Sequence, residues 1–486
     1  MRLEALPLVT NLSAPLLSLT VLVPLLAAFF VARTSHLAQA RNATLTALSV
    51  SFGASAWVLV QVLSAGGGML ADSLLSNWLA VDSLSAVLIV LFPALALVTA
   101  AAAPQRDADR RFLTVTLVVV SATLATYAAQ NVLVLFAGWT GSLIPFLLRR
   151  ERDRWFALSR YTLGASALAL AVAIGAGYLG ASHAGVADPL SLASLARRSD
   201  GGTLLLALVA ASLLRTGLFP AHRGIAATLG GSGLLLSMLV MNGHQGLYLL
   251  ARIVIPHFAA ADSQLIFWLG VLALLSCLLL AVLGLAEKTA EGLLATVFVS
   301  HACALFAGLA TRTPEGVTGA LLQWLVLGVC STVLIAVYRC LHVRTDGDIT
   351  GSGFNGFAGA TPRFAVMFAL AALALAGLPG TLGFSGEDLL MHGALVAHGW
   401  FGAVLPIAIA LNAWHVYRLF AILFMGEPRI SPLNLRDALP RERVSLFAAL
   451  AVLIWFGFAP GHAVTLREAG VRMILGTATT VSAALP

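Results

Sequence analysis

Runs of about 20 apolar residues recur from one end of this chain to the other, each long enough to cross roughly 30 Å of hydrocarbon as a helix. Inside a bilayer no water completes the hydrogen bonds of peptide groups, so such a chain is confined to helices that close their own backbone bonds. We read fourteen runs, near 13–33, 42–64, 80–102, 112–128, 131–148, 159–181, 203–221, 226–256, 264–285, 290–310, 317–341, 365–385, 388–424 and 444–464. Composition agrees: 59% of the residues are hydrophobic and 10% charged, with a mean hydropathy of +0.95. A soluble domain carries about a quarter charged residues, so no separate water-facing domain is expected. The predicted fold is an all-α polytopic membrane protein, a single transmembrane domain over residues 1–486.

The residues before the first run ("MRLEALPLVTNLS") lack a strongly basic start, and the run is long enough to remain in the bilayer, so it is expected to stay as a helix. Cys277, Cys303, Cys330 and Cys340 show no metal-ligand spacing and are expected to pack as small apolar residues. The sequence has no glycine-rich nucleotide loop, no haem or iron–sulfur spacing and no basic, aromatic-interleaved stretch. No cofactor is therefore expected in this chain, and nucleic acid is not an expected partner.

Arginines crowd the loops after the third run ("PQRDADRR"), the fifth ("LRRERDRW"), the eleventh ("YRCLHVRTDGD") and the thirteenth ("EPRISPLNLRDALPRER"). Loops after the second, eighth and twelfth are poor in basic residues. The positive-inside rule then places the arginine-rich loops in the cytoplasm and both termini in the periplasm, in a bacterial inner membrane. Arg197–Arg198 runs against this pattern. The net charge of +7 is mostly this topology signal.

Ionisable residues within the runs are costly in lipid and carry the functional hypotheses. The seventh run contains "LLRTGLFPAHRG", where Arg215 and His222 flank Pro220 and the helix should break. The eighth offers "MNGHQGLYLLAR" with Asn242, His244 and Gln245, and the tenth "EKTAEGLLATVFVSHACA" with Glu287, Lys288, Glu291 and His301. The twelfth ends in "LPGTLGFSGEDLLMHG", a second break before Glu387, Asp388 and His392. The thirteenth carries His415 and Arg418. Two broken helices five runs apart, each with an ionisable group, form the pattern of a transporter built from two inverted repeats, about 112–256 and 264–424, flanked by helices 13–102 and 444–464. Histidine and carboxyl groups strung across the midplane can relay protons because each can change charge.

These segments resemble the proton-conducting membrane transporter family, the antiporter-like subunits of respiratory complex I and of multisubunit Mrp sodium/proton antiporters. "VDSLSAVL" with Asp82 is similar to the family's third helix, "RTGLFPAH" to its lysine–proline–histidine break, "EGLLATVFVSHACALFAG" to its lysine-then-serine segment, and "GLPGTLGFSGEDLL" to its second broken helix. The resemblance implies an antiporter-like fold and proton conduction. Carried over position by position, the family's fifth-helix glutamate falls on Thr140 and its lysine partner on Arg215. The bridging lysine of the eighth helix falls on His244, the lysine before the serine–histidine segment on Glu291, an eleventh-helix histidine on Leu327, and the second-break glutamate on Glu387. Arginine keeps its proton, so Arg215 can only be a fixed charge that shifts neighbours or binds an anion.

The expected proton pathway is His244, Glu291, His301, Glu387, Asp388 and Lys288, with Arg215 and His222 as fixed charges at the first break and Asp82 and His415 in support. Simpler roles stand beside these: a snorkelling end-of-helix lysine for Lys288, a helix end for His222 with Arg223, interfacial positions for His392, His398 and His415, and helix orientation for Asp82. An altered first half-channel resembles the family branch in which one such subunit pairs with a large zinc-containing, carbonic-anhydrase-like protein to accumulate inorganic carbon (the DAB complexes). The resemblance implies that the membrane subunit couples the proton-motive force to hydration of CO2 to bicarbonate, with the peripheral zinc subunit on the cytoplasmic side. The alternatives are a proton-translocating subunit of a complex I-like or hydrogenase-linked oxidoreductase, an Mrp-type sodium/proton antiporter subunit, and a non-conducting membrane anchor.

Overall fold

The computed structural model describes residues 10–147, 154–186, 188–196, 202–226, 244–258, 263–347, 349, 353–428 and 435–476. The helices α1 (Leu16–Arg33), α2 (Leu37–Ser64), α3 (Ser83–Ala102) and α4 (Arg110–Ala128) pack on one another as a first group. There follow α5 (Val132–Gly141), the short α6 (Ile144–Leu147), α7 (Arg154–His183), the short α8 (Leu192–Ala196) and α9 (Gly202–Thr216). Past a break comes α10 (His222–Ala226); α11 (Gln245–Leu249) then runs through a π-helical turn, Leu250–Val254, into α12 (Ile255–Phe258).

The later helices are α13 (Ser263–Leu283), α14 (Ala290–Ala310), α15 (Pro314–Arg344), α16 (Pro362–Leu375), α17 (Leu382–His398) and α18 (Val404–Phe424). The last two, α19 (Pro440–Phe458) and α20 (Pro460–Leu475), meet at 92°. Among the described residues nine helices are long and apolar enough to cross a membrane, ten if the bent pair counts as one span. The shorter apolar helices α5, α9 and α16 fall on three more of the expected runs.

Run 365–385 contains the expected break, between α16 and α17, and two boundaries differ from the expectation. Run 388–424 divides at the 3-10 turn Gly399–Ala403, where Gly399 takes φ +57°. The apolar pattern is continuous through that turn, so hydropathy does not mark it. Beyond the last run, Pro460 starts α20, which buries Ala463, Arg467, Gly470, Val471 and Ile474. The run 226–256 is seen only from its end, and the expected interruption at 230–233 and Asn242 lie outside the described residues.

Local chemistry sets the helix starts. Asp82 caps α3, accepting from Leu84 N and Ser85 N while Ser85 Oγ accepts from Asp82 N. Asp109, Asn131, Thr289 and Thr313 cap α4, α5, α14 and α15 in the same way. Two-residue strands β1 (Thr10–Asn11), β2 (Leu70–Ala71) and β3 (Ala80–Val81) form a sheet in that order, parallel then antiparallel. The sheet leads into Asp72, which accepts from Ser18 Oγ at 2.7 Å and ties the loop to α1.

Ion pairs mark the two ends of the bundle. Asp82, before α3, pairs with Arg252. Asp107, after α3, accepts from Arg339 at 2.9 Å, and Arg344 donates to Glu442 at 2.6 and 2.9 Å. The 20 residues of α3 separate these ends by about 30 Å. At the centre stand α14 and α15, enclosed on all sides, whereas much of α2 and α7 faces outward.

Candidate functional site

Both broken helices end in the same backbone motif. At the first break Gly217 takes φ +88°, and the N–H of Leu218 reaches back to Leu213 O at 3.2 Å. At the second, Gly377 takes φ +72°, and Leu378 N donates to Leu373 O at 2.9 Å. This six-to-one bond with glycine in the left-handed region is the Schellman C-cap. The prolines that follow, Pro220 and Pro379, prevent the helix from resuming at once. Ser276 Oγ accepts from Phe219 N at 3.1 Å, which secures the first loop against α13.

Arg215 lies in the last turn of α9 and is 7% exposed. Its Nη2 donates to Ser142 Oγ and to Gln245 Oε1, both at 2.8 Å, and the guanidinium lies 5.2 Å from the centroid of the Trp139 ring. Gln245 Nε2 donates in turn to Thr123 Oγ1 at 3.3 Å and Thr126 Oγ1 at 3.4 Å. One polar network therefore joins α4, α5, α9 and α11 around a buried cation. No carboxylate pairs with Arg215 among the described residues.

Thr140, the expected counterpart of a glutamate, does not join this network. Its hydroxyl donates to Phe136 O at 2.7 Å along its own helix, and the flanking Trp139 and Ser142 face Arg215 instead. At 100° per residue, a shift of one position along α5 changes the face presented. His222 begins α10 beyond the break, buried and stacked on Phe219 at 5.7 Å, away from the Arg215 contacts. It stands at a helix end, as the simpler reading expects, and is buried there.

His244 precedes α11 in a left-handed conformation, φ 37°, and is buried with its ring 6.0 Å from that of Trp324 on α15. The neighbouring Gln323 turns to the second break and donates from Nε2 to Glu387 Oε1 at 3.2 Å. Glu387 is 5% exposed, and its carboxylate lies where a side chain at Gly377 would stand. His301, midway along α14, is buried with Nδ1 at 2.9 Å from Val297 O. Beside it Ser300 Oγ accepts from Asn412 Nδ2 at 2.8 Å and donates to Cys277 O at 2.8 Å. Five side-chain atoms in this region have no partner among the described residues: His244 Nδ1, Trp324 Nε1, Gln323 Oε1, His301 Nε2 and Asn412 Oδ1. Unpaired polar atoms in a dry interior are costly, so each is a point at which water would bond.

The other expected residues fall elsewhere. Asp388, next to Glu387 on α17, is exposed, and Lys288 is exposed before α14. Glu291 accepts from Tyr338 at 2.6 Å and lines a cavity of about 160 Å³ with Glu287, His342 and Arg418, at the Asp107 end of the bundle. It lies ten residues from His301, about 15 Å along α14. His415 is 0% exposed in the middle of α18, with Nε2 2.7 Å from Ala281 O, and not near a helix end as expected. His398 is likewise buried, against Phe267. His392 is exposed. Asp82 is a helix cap held by Arg252. Sequence reasoning missed Ser142, Trp139, Gln323 and Trp324; their pairing across helices leaves no periodic signal. The four cysteines are buried and unpaired, and no group of three or more metal-ligating side chains gathers among the described residues.

Residues 129–411 match the family described as NADH:quinone oxidoreductase/Mrp antiporter, transmembrane. The chain is 30% identical over 438 residues to NAD(P)H-quinone oxidoreductase chain 4 of Picosynechococcus, spanning 84% of this chain and 80% of that protein. It is 29% identical over 404 residues to NADH-quinone oxidoreductase subunit 13 of Thermus thermophilus, spanning 78% and 81%. The match to subunit M of Rickettsia bellii, 27% identical over 252 residues, spans 52% of this chain and only half, 50%, of that protein. In fold, the chain resembles a chain of Thermus thermophilus respiratory complex I with a TM-score of 0.82 at 24% identity, covering 94% of this chain and 99% of that one. It resembles a chain of the Mrp complex from Dietzia equally, with a TM-score of 0.82 at 18% identity and coverage of 95% and 97%.

Proposed function

Because this chain belongs to the NADH:quinone oxidoreductase/Mrp antiporter transmembrane family, we propose that it is a proton-translocating, antiporter-like subunit of a membrane-bound complex I-type quinone oxidoreductase. The observation that carries the reading is Glu387, a carboxyl group enclosed at a helix break and held by Gln323. An enclosed carboxyl that alternates between charged and neutral forms can accept a proton from one side and release it to the other. His301 and His244 provide further titrating stations, and the unpartnered atoms near them are groups to which water joining these stations would bond. Redox centres belong to the partner subunits in this reading, and the chain supplies the proton path. The matching C-caps at the two breaks support two inverted repeats, and the arginine-rich loops support a cytoplasmic Asp107 end with periplasmic termini.

The first half differs from the second. Arg215 has a permanent charge and Thr140 offers no carboxyl, so neither moves a proton: Arg215 acts as a fixed charge and the stations are His244, His301 and Glu387. That asymmetry favours a second reading, in which the proton-motive force drives a cytoplasmic zinc-dependent carbonic-anhydrase-like subunit that accumulates inorganic carbon. Purification from native membranes in mild detergent separates the two. Quinone-oxidoreductase subunits co-purifying with the tagged chain support the first reading, and a single large zinc protein in equal amount supports the second. In either complex Glu387→Gln should abolish proton-coupled activity while assembly persists; full activity in that variant would reduce the chain to a membrane anchor.

A further inference from the structure

The Arg215 network contains hydrogen-bond donors without acceptors. Beyond the two bonds made by Nη2, Nη1 is enclosed and has no partner among the described residues. Trp139, whose ring faces the guanidinium, has an enclosed and unpartnered Nε1–H. Ser212 and Thr216, three residues before and one after Arg215, have enclosed hydroxyls with no partner among the described residues. Thr216 Oγ1 faces Gly246, adjacent to Gln245, where an added methyl group would come within 2.5 Å of it. On α4, the helix that carries Thr123 and Thr126, the Tyr127 hydroxyl is enclosed and unpartnered as well.

Water can satisfy donors, but it cannot neutralise a cation in a low-dielectric interior. The countercharge does not come from the segment leading into His244, since residues 227–243 contain no aspartate or glutamate. One enclosed cation, with unpartnered N–H and O–H groups on its own and adjacent helices and no paired carboxylate among the described residues, is the chemistry that receives an anion. We propose that Arg215 holds a small monovalent inorganic anion, of the size of chloride or bicarbonate, at the first helix break. Nη1 and the indole N–H bind it, the Ser212 and Thr216 hydroxyls complete its shell, and Gln245 and Ser142 hold the guanidinium in place. The anion is a resident countercharge, so this inference stands whichever partner complex the chain serves.

The test uses the full-length chain in lipid nanodiscs, with chloride or bicarbonate replacing gluconate at constant ionic strength and pH. The melting temperature of the wild-type protein should rise saturably with one of the two anions, and the anion with the lower half-saturating concentration is the occupant. Arg215→Gln should remove the saturable response. A wild-type melt indifferent to both anions, or a saturable response retained in Arg215→Gln, overturns the proposal. Should Arg215→Gln fail to fold, the Ser212→Ala, Thr216→Val double variant decides. It should raise the half-saturating concentration at least tenfold, and an unchanged value sinks the idea.

Discussion

Gln323 and Glu387 approach to 3.2 Å between α15 and the second broken helix, so the enclosed carboxylate has one protein donor in its own layer. A hydrogen bond to a charged group contributes about 1.5–3 kcal/mol, and its loss leaves the partner stranded. The pair should therefore behave as a unit. Gln323→Leu should lower proton uptake by membrane vesicles at least tenfold, as should Glu387→Gln. The double variant should be no worse than either alone; additive losses would show that the two residues act separately.

Gly377 should tolerate no side chain. Its left-handed φ disfavours any L-residue, and the space beside it holds the Glu387 carboxylate. Gly377→Ala should impair proton uptake as severely as Glu387→Gln, with the protein still present in the membrane. Gly164→Ala, facing open space on α7, is the matched control and should be silent.

The Asp82–Arg252 pair joins the cap of α3 to the π-helical turn. Breaking an enclosed pair by removing one partner costs about 3–5 kcal/mol. Asp82→Asn and Arg252→Met should each lower the melting temperature in detergent by several degrees. If instead Asp82 passes protons, Asp82→Asn would abolish uptake without moving the melt.

Asp388 and Lys288 are exposed, so Asp388→Asn and Lys288→Ala should leave proton uptake within twofold of wild type. A tenfold loss in either would bring that residue back into the path.

Burial alone would push the Asp72 carboxyl up, but hydrogen bonds from the Ser18 hydroxyl and from the backbone N–H groups of Ser18, Leu75 and Leu74 outweigh it and hold the group below its ordinary value. A depressed carboxyl contributes stability above its unfolded pKa, and that contribution is lost as pH falls through the folded value. The melting temperature should drop on acidification below the usual carboxylate range, and Asp72→Asn should flatten that drop. Equal acid sensitivity in both proteins would assign the effect to other groups.

The helical class and both breaks were readable because apolar length, glycine and proline act locally. Gly217 with Pro220 and Gly377 with Pro379 announce loops whatever surrounds them. The Arg215 contacts were not readable, because whether Thr140 or its neighbours meet the guanidinium depends on how α5 is rotated. His415 was misjudged for depth: hydropathy places a residue along a run but does not show which neighbour covers it. Helix α20 was missed because it is amphipathic, with a guanidinium turned inward at Arg467. For the same reason the enclosed helices α14 and α15 read like lipid-facing ones, since a protein interior and an acyl chain are equally apolar.

The enclosure of α14 and α15 poses a problem of timing during synthesis. Both are made before α16, α17 and α18, which cover part of their surface in the finished protein. When they first leave the ribosome, Ser300, His301 and Gln323 have none of the neighbours on that later side, since Asn412 lies 112 residues beyond Ser300 and Glu387 64 residues beyond Gln323. Bare lipid is a poor host for such groups, so these two helices should be retained beside the insertion machinery until the later ones arrive. The residues that equip the interior to handle protons thus delay its release into the membrane.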